Sequence, residues 1–331
     1  MSTTTVFLGG GRITSALVAG LRRAGHKGVI VVHDRNPEKL RALRRDFGVA
    51  VEPDLRSAVS GADMLIIAVR PTAVAEMLEE VARYAGASRL LAVSLAAGIP
   101  LKKLHPRLGA RVRWARALPS PICRIGRGLT AVAFARNLPR ADRMRVREFF
   151  EQVGLVLEMA ESRLDAFNSA YSPAHGYHAL ATLAKAAQDA GLDPKTALRA
   201  AAHAFADAIL YWRESGQNVS SLLHEAATPG GTSAATLAAM DAAGYKRAIE
   251  RGLAAGIRQA RANAPLMFQS QRPKELALDP PRCRPFQTYK TVKTEHRFRK
   301  TNRFPLAGPG SMSQACEKSQ AIQWALAQPH H

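Results

Sequence analysis

The chain has 331 residues, 47% of them hydrophobic, and its 47 Lys and Arg against 26 Asp and Glu give a formal charge of +21. That length accommodates two domains with cores of their own, while the longest apolar runs, such as MLIIAV at 64–69, are strand-sized and too short to span a bilayer. The cationic residues are spread along the chain, so the charge reads as generic attraction to polyanions and as favourable to phosphorylated cofactors and carboxylate substrates, not as a dedicated nucleic-acid surface.

Cys123, Cys283 and Cys316 are odd in number and far apart; no disulfide scaffold or zinc cluster follows from them, and Cys123 reads as a buried thiol. MSTTTVFLGG lacks the basic start and apolar core of a signal peptide, so the expected location is the cytoplasm.

In chain order, TTVFLGG reads as a short buried strand and GRITSALVAGLRRAG as a helix with Ile13, Leu17 and Leu21 on one face. VIVVHD is a second strand. The helix NPEKLRALRRDFG follows, with Asn36 as cap and Pro37 in its first turn. VAVE, MLIIAV, RLLAVSLA and VRWARALPS supply further strands, with a helix from Pro71 to about Tyr84; GLTAVAFA and LVLEM add one or two more. Strands alternating with helices predict a Rossmann-like, doubly wound α/β domain with a mostly parallel sheet over residues 1–160. Residues 161–264 are rich in Ala and Leu, with helices expected at 174–190, 194–214, 218–227, 232–242 and 244–263, an all-helical domain whose small faces suit contacts between subunits. Residues 265–331 are basic and proline-bearing and read as a disordered tail.

FLGGGRIT places glycines directly after a strand and into a helix. Gly9 serves a tight turn and Gly11 lets backbone approach a pyrophosphate at the helix N-terminus, with Arg12 and Ile13 following; Thr14 stands where a third glycine is usual. At the end of the second strand Asp34 suits the ribose hydroxyls of NAD, whereas Arg35, with Lys39, suits the 2'-phosphate of NADP; the local basic charge tips the balance slightly toward NADP. Ala68, Val69, Arg70 and Pro71 form a wall for the adenosine half at another strand end, and Ala97 and Gly98 let the nicotinamide approach backbone. Ser120, in a proline-stiffened loop, is a candidate polar contact near the reacting centre. His175 and His178 lie three apart without a companion Asp or Cys set, so no metal site is predicted. Between two alanine-rich helices lies Thr228-Pro229-Gly230-Gly231-Thr232-Ser233, a proline-stiffened break with exposed backbone donors where the next helix dipole favours an anion. It also reads as a plain corner with Thr232 or Ser233 as the cap.

Over residues 5–264 the chain resembles the pyrroline-5-carboxylate reductase family. The resemblance rests on FLGGGRIT, on Ala68-Val69-Arg70-Pro71, on Ser94 to Ile99, on Arg116 to Pro119 and on the complete T-P-G-G-T-S segment. It implies hydride transfer from NADPH or NADH to a carboxylate-bearing cyclic imine, 1-pyrroline-5-carboxylate, giving proline. It implies a homodimer, or a higher homo-oligomer, whose substrate carboxylate meets the amides of Gly230 and Gly231 beside Ser233, with Thr232 bonding the imine nitrogen. The sequence departs from the family pattern at Ser120-Pro121-Ile122, at Arg127, and at Ser169 to Ala174, where Tyr171 adds bulk. Tyr171 thereby becomes a candidate proton donor or pocket-narrowing residue, and a dinucleotide-binding relative with changed substrate or lost chemistry, such as a regulator, is the alternative.

Overall fold

Apolar runs of strand length, separated by amphipathic helices, leave a chain little choice but a sheet covered on both faces. The computed structural model describes residues 3–84, 90–109 and 111–262. Its first half runs β1 (Thr4–Leu8), α1 (Arg12–Arg23), β2 (Val29–His33), α2 (Pro37–Phe47), β3 (Ala50–Val51), α3 (Leu55–Ser60), β4 (Met64–Ile67), α4 (Val74–Ala82), β5 (Leu91–Ser94), α5 (Leu101–Leu108), β6 (Arg113–Leu118), β7 (Gly128–Phe134), α6 (Arg140–Glu151) and β8 (Gly154–Glu158). The strands form one sheet in the order β3-β2-β1-β4-β5-β6-β7-β8, parallel except where β7 runs against β6. The link from β6 to β7 is a short 3-10 turn at Pro121–Ile125, too short for the crossover that a parallel neighbour needs. Both GLTAVAFA and LVLEM are strands, while VAVE contracts to Ala50–Val51.

Strand alternation divides the core into two layers. Val6, Leu8, Leu65, Ile67 and Trp114 pack with Leu78 of α4 and Leu104 of α5. Phe7, Ile30, Ile66 and Val93 pack on the opposite face with Leu17 and Leu21 of α1 and Phe150 of α6. The α2 helix begins where expected: the Asn36 side chain accepts from the amides of Glu38 (2.8 Å) and Lys39 (3.3 Å), Pro37 opens the first turn, and Gly48 closes the helix at φ 60°. The sequence reading missed α3, α5 and α6. Pro106 hides α5, because proline breaks an i→i−4 bond inside a helix. Charge hides α6, whose core residues are Val146, Phe149 and Phe150.

The second half is helical: α7 (Leu164–Ala170), α8 (Pro173–Asp189), α9 (Pro194–Ser215), α10 (Val219–Ala226), α11 (Thr232–Ala242) and α12 (Tyr245–Ala262). Apart from α7, which was missed, each matches its expected span to within a residue at either end. Ser172, Asp193 and Asn218 set the starts of α8, α9 and α10, each accepting from first-turn amides. Among the described residues no helix is long and apolar enough to cross a membrane. The basic tail expected at 265–331 lies outside the described residues.

Candidate functional site

The carboxyl ends of β1, β2, β4, β5 and β6 form one edge of the sheet, and in open α/β sheets this is the ligand edge. At its centre β1 ends in the glycine turn. The Gly9 amide donates to the His33 carbonyl at 2.8 Å, and φ is 108°. A Cβ at Gly9 would stand 2.9 Å from the Ala68 carbonyl oxygen, so only glycine fits between the ends of β2 and β4. Gly11 caps α1 in extended conformation with no side-chain cap bond, and nothing lies within 4 Å of where its Cβ would be. The first-turn amides of α1 thus face an open cradle that suits a pyrophosphate. Arg12 and Ile13 open the helix; Arg12 is exposed and Ile13 packs partly on the core. Thr14 is fully buried and its hydroxyl donates to the Gly9 carbonyl, which accounts for threonine at the third glycine position.

Asp34 is drawn over this turn. Its carboxylate accepts from the amides of Gly10 (2.7 Å) and Asn36 (2.8 Å) and from Lys39 Nζ (3.3 Å). Burial pushes its pKa up, but the Asn36 and Gly10 amides and Lys39 outweigh that, so the net shift is downward and the group is ionised at neutral pH. Arg35 turns to α4 and pairs with Glu76 (2.9 Å) and Glu80 (2.5 Å). These pairs are exposed, hence weak. Ala68 donates its amide to the Leu8 carbonyl at 2.8 Å, Val69 is half-buried, and Arg70 is exposed at the start of the Pro71–Ala73 turn. These residues stand beside the glycine turn on the same edge.

At the other end of the edge, Gly98 takes φ 80°, and a Cβ there would come within 1.7 Å of the Ala260 carbonyl oxygen of α12. Ala97 packs with Leu118, Leu164 and Phe167 in a small cluster joining the sheet to α7. Ser120 is buried, its hydroxyl accepting from the Ile122 amide at 3.2 Å. Because β7 is antiparallel to β6, its first residues lie at this same edge, and the Leu129 amide donates to the Tyr171 hydroxyl at 3.0 Å. The Tyr171 ring lies against Phe167.

A buried ion network, which sequence reasoning left unread, backs this end. Arg116 of β6, 2% exposed, donates to Glu161 Oε1 (3.1 Å) and to the Ala96 carbonyl (3.5 Å) and lies 3.9 Å from Asp165. Glu161 also accepts from the Leu101 amide (2.6 Å), and Asp165 faces Arg261 at 3.8 Å. The sequence showed Arg116 only as part of the motif from Arg116 to Pro119 and as a charge within the strand RWARAL, with no sign of its partners.

The T-P-G-G-T-S segment is built as a second glycine-opened helix start. Gly230 has φ 79°, the Gly231 amide donates to the Thr228 carbonyl at 3.0 Å, and Gly231 caps α11 with no side-chain cap bond. The cap is therefore neither Thr232 nor Ser233, which occupy the first turn. Gly231 is half-buried; Thr228, Gly230, Thr232 and Ser233 are exposed. One chain thus brings the glycine turn, Asp34, Ala68–Pro71, Ala97, Gly98, Ser120 and Tyr171 to one edge, and leaves the α11 start at a surface.

Comparison with known proteins follows the same division. Residues 4–98 match the family model described as NADP oxidoreductase coenzyme F420-dependent, and residues 161–263 match the one described as pyrroline-5-carboxylate reductase dimerisation. A pyrroline-5-carboxylate reductase of Corynebacterium melassecola is 30% identical over 254 residues, covering 75% of this chain and 94% of the relative. That of Mycobacterium tuberculosis is 30% identical over 273 residues, covering 75% and 92%. Among solved structures, a pyrroline-5-carboxylate reductase from Coxiella burnetii superposes with a TM-score of 0.72 at 23% identity over 80% of this chain and all of that one. The Plasmodium falciparum enzyme with NADP bound gives 0.71 at 19% identity, over 80% and 98%. At these identities the two structures speak for the fold.

Proposed function

The chain belongs to the pyrroline-5-carboxylate reductase family, and from that membership we propose that it reduces a carboxylate-bearing cyclic imine, 1-pyrroline-5-carboxylate, to proline with NADPH or NADH. The observation that carries the reading is the pair of glycine-capped helix starts: α1 at Gly11 and α11 at Gly231 both begin on a glycine with no side-chain cap bond, leaving first-turn amides to face an anion. Family membership assigns them to the two anions of the reaction, the dinucleotide pyrophosphate and the imine carboxylate.

The residues at the sheet edge fit the dinucleotide. Gly9, Gly11, Arg12 and Ile13 hold the pyrophosphate turn, Asp34 and Arg35 border the adenosine ribose, Ala68 to Pro71 wall the adenosine half, and Ala97 and Gly98 line the nicotinamide end. A reduced nicotinamide, when bound, supplies a hydride from its C4 to the imine carbon while the C=N electron pair settles on the protonated nitrogen. The protein's work is placement. The amides of Gly230 and Gly231 with Ser233 hold the carboxylate, and Thr232 bonds the imine nitrogen. Ser120 and Tyr171 border the reacting centre, Tyr171 with a proton to give. Because the α11 start is exposed in one chain, we assign completion of the site to a homodimer built on residues 161–264, with residues 1–160 as the dinucleotide domain. A cytoplasmic location goes with this reading.

The test is a spectrophotometric assay of the purified protein with the imine and each cofactor, following nicotinamide absorbance. Turnover is expected, with Thr232→Ala lowering kcat/KM about 10–100-fold, the value of a hydrogen bond to a charged group. Cofactor binding without turnover on a panel of cyclic imines would replace the reading with a binding protein of this fold.

A further inference from the structure

Resting on the reductase reading, we propose that Arg116 is a positioning residue: it registers the nicotinamide-side loop of the sheet with the first helix of the helical half, and so sets the distance over which hydride moves. Along β6 the side chains of Trp114, Arg116 and Leu118 share one face, and the neighbours of Arg116 on that face are an apolar core residue and an apolar cluster residue. A guanidinium in such a place is costly unless its hydrogen-bonding sites are met. Its partners come from three separate stretches of chain: the Ala96 carbonyl from the loop after β5 and Glu161 from the segment before α7 accept hydrogen bonds, and Asp165 of α7 adds an opposite charge at 3.9 Å, while the buried Nε has no partner among the described residues.

Each stretch touches the nicotinamide end. Ala97 and Gly98 follow Ala96 directly. Glu161 also takes the Leu101 amide at 2.6 Å, which fixes the far end of the same loop. Asp165 passes the linkage to Arg261, next to the Ala260 carbonyl that seats against Gly98. The loop is therefore held from both ends and from behind, with Arg116 as the common donor. The geometry needs a planar fork: one guanidinium meets a carboxylate and a carbonyl on different elements, which a lysine ammonium on a flexible stem does not reproduce. None of these groups reaches the adenosine end, where Gly10 and Asp34 are bonded to each other.

That separation makes the proposal testable. Arg116→Met and Arg116→Lys would be compared with the parent for kcat with the imine, for affinity for NADPH and NADH, and for affinity for ADP-ribose and its 2'-phosphate, which lack the nicotinamide. The expected result is fragment affinity within about twofold of the parent, intact-cofactor affinity reduced more than fragment affinity, and kcat about 100-fold lower, the effect of misplacing reacting atoms by roughly 1 Å. Arg116→Lys is expected to fail as Arg116→Met does. If a variant does not fold, Glu161→Gln, which removes the charge partner and keeps the shape, is expected to give the same pattern in weaker form. Unchanged kcat in a folded variant overturns the proposal, as does equal loss of fragment and intact-cofactor affinity. If the parent turns over no imine, the reductase reading fails, while the fragment comparison still reports whether Arg116 organises the nicotinamide end.

Discussion

The two halves of this molecule bury different things. In the sheet half, Phe7, Leu8, Leu17, Ile66, Trp114 and Phe150 are all fully buried within one chain. In α8 to α12 the buried residues are alanines (Ala184, Ala197, Ala201 and Ala260), while α9 exposes Phe205, Ile209, Leu210, Tyr211 and Trp212. Monomeric proteins rarely leave so large an apolar face open. One half closes its core alone. The other is shaped to close it against a second copy, in keeping with its match to a dimerisation family.

The sharpest way to break that contrast is truncation on each side. Phe150→Ala removes a fully buried ring from the sheet core and is expected to cost about 3–5 kcal/mol, read from the denaturant midpoint at constant slope. Its loss should not depend on protein concentration. Trp212→Ala, at a residue 44% exposed in the single chain, is expected to weaken self-association by about 2 kcal/mol or more, as a large aromatic anchor does at an interface. Here the readout is sedimentation across a dilution series. A Trp212→Ala protein that associates like the parent would mean that this face is not the interface.

Glycine sharpens the comparison at smaller scale. Gly9 and Gly230 both take positive φ, at 108° and 79°. A Cβ at Gly9 would strike the Ala68 carbonyl, whereas nothing lies within 4 Å at Gly230. Gly9→Ala is therefore expected to abolish dinucleotide binding by prying β1 from β4. Gly230→Ala is expected to cost only the left-handed backbone strain, about 1–2 kcal/mol, and to show it as a raised KM for the imine with cofactor affinity unchanged. Equal effects of the two on cofactor affinity would contradict the division of labour.

This division also governs what was legible in the sequence. Local signals were read well: the Asn36 cap fixed the start of α2, apolar runs of strand length marked the strands, and amphipathic Ala/Leu stretches marked α8 to α12, because each acts over a few residues. Long-range signals were not. Arg116 and Glu161 are 45 positions apart, and no local pattern announces that they meet. Tyr171 was singled out for its bulk, but its bond to the Leu129 amide depends on β7 running antiparallel, a matter of topology. The α11 start was recognisable as a helix opening, and in the single chain Thr232 and Ser233 of its first turn lie exposed.

The smallest effect tests whether the sheet half is as closed as its burial implies. Cys123 lies in the turn after β6, where the backbone crosses α1 so closely that a Cβ on Gly20 would stand 2.2 Å from the Cys123 carbonyl oxygen. Burial pushes the thiol from 9.0 up to about 12, only partly relieved by Arg124 and nearby amides. In the unfolded chain the thiol ionises near its ordinary value, so between those two pH values the folded state holds more protons than the unfolded. Stability therefore falls as pH rises through 9 and levels off near 12, with a slope approaching about 1.4 kcal/mol per pH unit once the unfolded thiol is fully ionised. Subtracting Cys123→Ala from the parent in urea titrations at pH 8, 9 and 10 isolates that slope, because the other alkaline groups cancel. The slope should survive in Trp212→Ala, since separating the copies opens the helical face and leaves the α1 crossing intact; if it vanished there, the thiol's shelter would come from assembly and the sheet half would not be self-sufficient.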